Sequence, residues 1–196
     1  MNLYTALVHY PVYDKNRRLV ATAVTNIDVH DIARASATFG VNGYFIVTPV
    51  VQQRELVGEL LEHWTDGPGA KYNPRRQEAL ARARVVPDLA EATRLIAAET
   101  GHEPITIGTG ANVKDRMVSF QQMRTLLKVR EGSALLVFGT GWGLEKAFLD
   151  AFDYVLAPVL GPVEYNHLSV RSAAAIVMDR LCGLQNPEDN LNSIEQ

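Results

Sequence analysis

Leu135-Leu136-Val137-Phe138-Gly139-Thr140-Gly141-Trp142-Gly143 decides the fold class. An unbroken apolar run marks a buried strand, and the glycine-threonine turn after it marks that strand's carboxyl end. Downstream, a helix leads to a second apolar strand at Tyr154 to Ala157 and then to a proline-bracketed loop. Asn166-His167-Leu168-Ser169-Val170-Arg171-Ser172 then opens an alanine-rich final helix. Flexible loops at strand ends, followed by a polar helix start, make a site for a small molecule with polar and apolar parts.

Upstream, short apolar runs alternate with segments of helical period, which predicts an α/β fold with a largely parallel sheet. Leu3 to Tyr10 reads as the first strand, Pro11 to Val20 as a polar loop, Asp28 to Phe39 as a helix and Tyr44 to Thr48 as a strand. A second helix runs from Val51 to Trp64, stopped by the turn residues Thr65 to Gly69, and a basic helix follows from Pro74 to Arg84. Val85-Val86 is a short strand, Asp88 caps a helix to Glu99 that Gly101 ends, and Ile105 to Gly108 is a strand. Ser119 is the N-cap of a helix to Val129, with Gly132 beyond it as the stop. Residues 1–184 form one expected domain, and the tail from Gln185 to Gln196, with little to bury, is expected to be disordered.

With 196 residues, 47% hydrophobic and 21% charged, the chain can afford a sizeable core. No apolar run approaches the roughly 20 residues of a membrane span, and Met1-Asn2-Leu3-Tyr4 lacks a basic, then apolar, leader, so the chain is expected in the cytoplasm. Cys182 is the lone cysteine, which excludes an internal disulfide and a cysteine-based zinc cage. A net charge of -3 argues against indiscriminate coating of nucleic acid. The cations are uneven, however: Lys15, Arg17 and Arg18 crowd one loop, and Lys71, Arg75, Arg76, Arg82 and Arg84 another segment, patches suited to a structured RNA.

Ile107-Gly108-Thr109-Gly110, Phe138 to Gly143 and Pro158-Val159-Leu160-Gly161-Pro162 all follow predicted parallel strands, at the edge where such sheets collect ligands. Gly139, Gly141 and Gly143 have neither the spacing nor the early position of a dinucleotide fingerprint, and no G-K-[ST] phosphate loop occurs. A neutral nucleoside-like ligand fits better than a nucleotide phosphate.

The order of these motifs resembles the SPOUT superfamily, the knotted RNA methyltransferases that use S-adenosylmethionine. Asn26 to Arg34 with Phe39-Gly40-Val41 and Phe45-Ile46-Val47-Thr48-Pro49 resembles the first motif, Leu136-Val137-Phe138-Gly139 with its turn the second, and Asn166 to Ala175 the third. Two departures stand out: Trp142 and Gly143 occupy the place of the second motif's usual glutamate, and His167 that of the third motif's asparagine. The resemblance implies a mostly parallel sheet with helices on both faces and a C-terminal trefoil knot, a rare exception to unknotted topology. It also implies an S-adenosylmethionine pocket made by Gly108, Thr109, Gly110, Phe138, Gly139, Thr140, Gly141, Trp142, Gly143, Leu160 and Gly161, closed by Asn166, His167, Leu168 and Ser169. No metal is needed for methyl displacement from an activated sulfonium.

Arg34, with Asn26 beside it, is the catalytic candidate by this resemblance, and Arg17, Arg18, Lys71, Arg75, Arg76 and Arg171 are candidates for RNA contact. Arg171 lies where it either holds a substrate phosphate or pairs with Glu164, and His9 is a candidate pocket-facing or structural histidine. A homodimer is implied by the family's use of its last helix as an interface, for which Ala173-Ala174-Ala175 would allow close approach. The expected function is methylation of tRNA or rRNA. The alternatives are a non-catalytic cofactor- and RNA-binding module assisting another methyltransferase, and an unrelated nucleoside enzyme.

Overall fold

A computed structural model describes residues 1–184, so the expectation for Gln185 to Gln196 lies outside the described residues. In its main sheet β1 (Asn2–Val8) is hydrogen-bonded on one side to β4 (Gly43–Val47) and on the other to the central strand β8 (Ser133–Gly139). Beyond β4 lies β5 (Ala83–Val86); beyond β8 come β6 (Ile105–Gly108), β9 (Tyr154–Leu156) and β7 (Met117–Val118). Every pairing in this seven-stranded sheet is parallel, as the unbroken apolar runs predict.

Strand alternation divides the core in two. Leu3, Leu7, Tyr44, Ile46, Leu136 and Phe138 point to one face; Tyr4, Ala6, Val8, Phe45, Val47, Leu135 and Val137 point to the other. The first face is covered by α1 (Asn26–Thr38), α2 (Val51–Thr65), α4 (Pro74–Leu80), α6 (Phe120–Val129) and α8 (Val170–Cys182), through residues such as Val29, Ile32, Val57, Leu80, Met123 and Val177. The second face takes α5 (Leu89–Thr100), through Ala92 and Ile96, and the α7 (Lys146–Asp150) region through Leu144 and Phe152. Each large side chain removed from water here contributes about 1.5–3 kcal/mol, which is what holds the layers on the sheet.

Local signals set the helix ends. Asp88, Ser119 and Ser169 each accept a backbone N–H of the first turn, and Ser119 with Gln122 completes a capping box. Gly101 ends α5 with φ of 79°, a left-handed conformation that favours glycine.

Other expectations are corrected. The Pro11–Val20 loop contains an antiparallel hairpin, β2 (Val12–Tyr13) with β3 (Leu19–Val20). Helix α1 starts earlier than Asp28: Thr25 is its N-cap, so Asn26 is its first residue and not a loop residue before it. The turn at Thr65 to Gly69 leads directly into a short helix, α3 (Pro68–Tyr72). The basic helix ends at Leu80, so Arg82 lies in the turn after it and Arg84 in β5, because the β-pairing of Ala83 to Val86 with β4 outweighs helical propensity. Independently of these corrections, α8 lies against α1, with Ala174 fully buried, Ala173 and Ala175 half-buried, and Ser36 of α1 donating to Met178 Sδ at 3.8 Å.

Candidate functional site: a cavity at the strand ends

The carboxyl ends of β6, β8 and β9 open into a cavity of about 730 Å³, within the size range of small-molecule sites. Its walls are the loop 109–115, the turn from Phe138 to Leu144, the segment Ala157 to Val159, and Asn166 to Arg171 with Ala173 and Val177 of α8. Tyr13 and Arg17 of the hairpin region, with Thr22, Ala23, Thr25 and Asp28, close the remaining side.

Main-chain bonding builds most of these walls. Thr109 donates its N–H at 3.0 Å and its hydroxyl at 2.9 Å to the Val137 carbonyl; Thr140 donates both groups to the Val8 carbonyl, at 3.2 and 3.1 Å. Each threonine thus anchors its turn to the neighbouring strand. The hairpin in turn seats on the glycine turn: Tyr13 N–H donates to the Gly143 carbonyl and Trp142 N–H to the Tyr13 carbonyl, both at 2.9 Å. Gly141 has φ of 57°, and a Cβ there would meet the Tyr13 carbonyl oxygen at 2.8 Å. Only glycine satisfies both demands.

Behind the turn runs a polar chain. Thr140 Oγ1 lies 2.5 Å from Thr22 Oγ1, which lies 3.0 Å from Nδ1 of His9. His9 is fully buried, its Nε2 has no hydrogen-bond partner among the described residues, and burial pushes its pKa down to about 4, against the opposing field of Asp28. It is therefore a neutral structural histidine at physiological pH and not one of the cavity-lining residues. On the opposite side, Asn166 Nδ2 donates to the Ala111 carbonyl at 3.1 Å, tying the third motif to the loop after β6. His167 contacts Trp142 and Tyr165 edge-on, at ring separations of 6.3 and 5.4 Å.

The sequence candidates separate accordingly. Thr109, Gly110, Phe138, Gly139, Thr140, Gly141, Trp142, Gly143, Asn166, His167, Leu168 and Ser169 line the cavity together. Gly108, Leu160 and Gly161 do not; a Cβ on Gly108 would meet Phe152 and Leu149, so that glycine serves packing behind the loop. Arg34 is exposed on α1 and Asn26 is exposed at its start, both outside the cavity of their own chain. Arg17 lies at the mouth over the Tyr13 ring at 4.2 Å, while Arg18 pairs with Asp14. Lys71, Arg75 and Arg76 belong to α3 and α4, away from the cavity, with Arg76 stacked on Trp64 at 4.7 Å. Arg171 lines the cavity and pairs with Asp28 and Asp31, not with Glu164.

Asp28 itself escaped the sequence reading. The Thr25-x-x-Asp28 spacing, a threonine cap with an acid three residues on, was the available signal. Thr25 Oγ1 accepts from the Asp28 N–H at 3.3 Å and donates to its Oδ2 at 2.6 Å.

The cavity fits S-adenosylmethionine on its own chemistry. Phe138, Leu144, Val155 and Val159 supply an apolar surface for a purine, and the glycine turns supply backbone amides and carbonyls for the polar groups. Fold and cavity together define an α/β protein with a small-molecule-sized cavity at the carboxyl edge of a parallel sheet. The chain belongs to a family described as S-adenosylmethionine-dependent RNA methyltransferases, whose model matches residues 2–183. A tRNA (guanine-N(1)-)-methyltransferase of Nitratidesulfovibrio vulgaris is 48% identical over 182 residues, 93% of this chain; the chain spans only 42% of that protein's length. Among solved structures, a probable methylase family protein of Haemophilus influenzae superposes with a TM-score of 0.61 at 20% identity, covering 97% of this chain and 70% of that one. The SpoU methyltransferase AviRb of Streptomyces viridochromogenes, solved with S-adenosylmethionine, does so with a TM-score of 0.55 at 15% identity, covering 91% and 56%. These two likenesses establish the fold, a parallel α/β sheet with helices on both faces.

Proposed function

We propose that the chain transfers a methyl group from S-adenosylmethionine to RNA, with tRNA placed before rRNA. The observation that carries this reading is the convergence of the glycine turns and the third motif on one cavity, in a chain of this family. The name of the Nitratidesulfovibrio relative supports tRNA as substrate. S-adenosylmethionine supplies an activated methyl group, so the protein's task is to position donor and acceptor and to manage one proton. Thr109, the turn from Phe138 to Gly143, and Asn166 to Ser169 would hold the cofactor, and Arg17 at the mouth would meet RNA phosphate.

The proposal includes a cytoplasmic homodimer of a single 184-residue domain with the trefoil threading that the resemblance implies. Among the described residues no helix is long and apolar enough to cross a membrane. Dimerisation matters for catalysis, because Arg34 and Asn26 reach a cavity only if it belongs to a partner subunit. That same placement favours the second reading, a cofactor- and RNA-binding module that assists another methyltransferase. The test incubates the full chain with S-adenosylmethionine and RNA from cells lacking the protein, followed by mass spectrometry of nucleosides. One methylated nucleoside that rises with enzyme supports the enzyme and names its acceptor atom. Saturable cofactor binding with no methylated nucleoside supports the module.

A further inference from the structure

Among the described residues three carboxylates line the cavity, and they differ in kind. Asp115 and Asp150 are exposed, and Asp150 is engaged by Lys146 at 2.8 Å; Asp28 is only 8% exposed. A carboxylate this buried must be compensated, and it is. Arg171 Nη1 donates to Oδ1 at 3.1 Å, and Thr25 Oγ1 donates to Oδ2 at 2.6 Å. Asp28 also sits in the first turn of α1, where the helix dipole favours an anion. Each oxygen has one of these partners and a second lone pair available for a donor from the cavity.

Any RNA acceptor that carries its hydrogen on nitrogen or oxygen must lose that proton as it is methylated. Among the described residues few groups are placed to receive it. Arg34 and Asn26 lie outside the cavity, and neither a guanidinium nor an amide is a base at neutral pH. His9 is walled off behind Thr22, and His167 is exposed with its ring turned against Trp142 and Tyr165.

Resting on the methyltransferase reading, we propose that Asp28 faces the acceptor nucleotide and takes the proton from its nucleophilic N–H or O–H, with Arg171 as the positioning residue that aims it. The acceptor–hydrogen bond breaks to an Asp28 oxygen, its electron pair forms the new bond to the methyl carbon, and the pair of the broken carbon–sulfur bond stays on sulfur. Arg171 is suited to its role because it spans two carboxylates, Asp28 at 3.1 Å and Asp31 at 3.6 Å, and so locks α8, the helix of the third motif, to α1, the helix of the first. The substrate class is thereby narrowed to protonated nitrogen or oxygen nucleophiles, such as a base imino group or a ribose hydroxyl.

Asp28→Asn keeps shape and leaves Arg171 its Asp31 partner. Three quantities decide the matter: the affinity for S-adenosylhomocysteine by calorimetry, the melting temperature, and single-turnover methyl transfer to RNA from cells lacking the protein. The expected result for Asp28→Asn is S-adenosylhomocysteine affinity within about threefold of wild type and a transfer rate lower by roughly a hundredfold or more, the usual scale for a lost general base, with Asp28→Glu recovering part of the rate. Arg171→Lys should lower kcat by roughly tenfold with little change in KM for RNA, the pattern of a misaimed group. Transfer by Asp28→Asn at the wild-type rate overturns the proposal. So does a loss of S-adenosylhomocysteine affinity matching the loss of rate, which would make Asp28 a cofactor ligand instead. If Asp28→Asn does not fold, Asp28→Ser takes its place: a rate equal to wild type in that variant overturns the assignment. Wild type that binds S-adenosylhomocysteine but methylates no RNA overturns the methyltransferase reading, and this proposal with it, an outcome distinct from failure of the variants alone.

Discussion

Helix α1 separates two regions built by different means. At its start, Asp28 joins a cavity whose walls are mostly main chain: glycine turns, threonine anchors, and a hairpin hydrogen-bonded onto the second turn. Further along, His30 packs edge-on against Trp64 at 5.4 Å, Trp64 carries Arg76 at 4.7 Å, and desolvation together with nearby Arg76 and Arg34 pushes the His30 pKa down. That region is a cluster of side chains from α1, α2 and α4, cationic and half open to solvent. A main-chain pocket suits a ligand of fixed shape, whereas mobile cations on a surface suit a polyanion. On the reading proposed above, the cofactor would occupy the first region and RNA would meet the second.

The largest break comes from Gly141→Val. A β-branched side chain is strained at φ of 57°, and its Cβ would press on the Tyr13 carbonyl, so the hairpin must lift off the turn. We expect S-adenosylhomocysteine binding to weaken by roughly a hundredfold or more, with a lower melting temperature, while a compensating change confined to α2–α4 should be absent. Unchanged affinity in calorimetry would remove the hairpin contact from the pocket.

A second effect comes from pH. The pKa of His9 is depressed from 6.5 to about 4 by burial, so its contribution to stability is complete above 6.5. As pH falls from 6.5 toward 4, the unfolded chain binds a proton that the folded chain refuses, and stability drops by about 3 kcal/mol. Urea denaturation at stepped pH should show this slope, and His9→Gln should remove it. An identical slope in the variant would place its origin elsewhere.

Arg34→Ala tests the other region. It should leave S-adenosylhomocysteine affinity and melting temperature nearly unchanged, since the side chain is exposed and outside the cavity, and lower methyl transfer by roughly a hundredfold if it completes a partner's site. Mixing Arg34→Ala with Asp28→Asn protein should restore activity in a shared-site dimer, and failure to do so would confine each site to one chain. The smallest effect is expected from Arg75→Ala: RNA affinity should fall a few-fold and the salt dependence of binding flatten slightly, with cofactor affinity untouched. A change in cofactor affinity would join the two regions that the structure keeps apart.

The parallel sheet and the cavity loops were legible because glycine and threonine announce main-chain geometry locally; Ile105 to Gly108 and the Ser119 cap fall where the sequence puts them. Position along the chain does not reveal burial, so Gly108, Leu160 and Gly161 were read as pocket residues by analogy with Gly110 and Gly141. Pairings between distant segments were invisible for the same reason. Nothing local announces that Arg171 reaches Asp28 across 143 positions, or that Thr22 meets Thr140 across 118. The hairpin at Val12 to Val20 was missed because its strands are two residues each and are held by the turn they cover.

If the cavity at the carboxyl ends of β6, β8 and β9 is the S-adenosylmethionine pocket we propose, it must bind the cofactor's product. Calorimetric titration of the full chain with S-adenosylhomocysteine tests it most directly, with Gly141→Val measured alongside. The prediction is one saturable site per chain in wild type and little or no binding by a folded Gly141→Val variant. No saturable heat in wild type, or equal binding by both proteins, would contradict it.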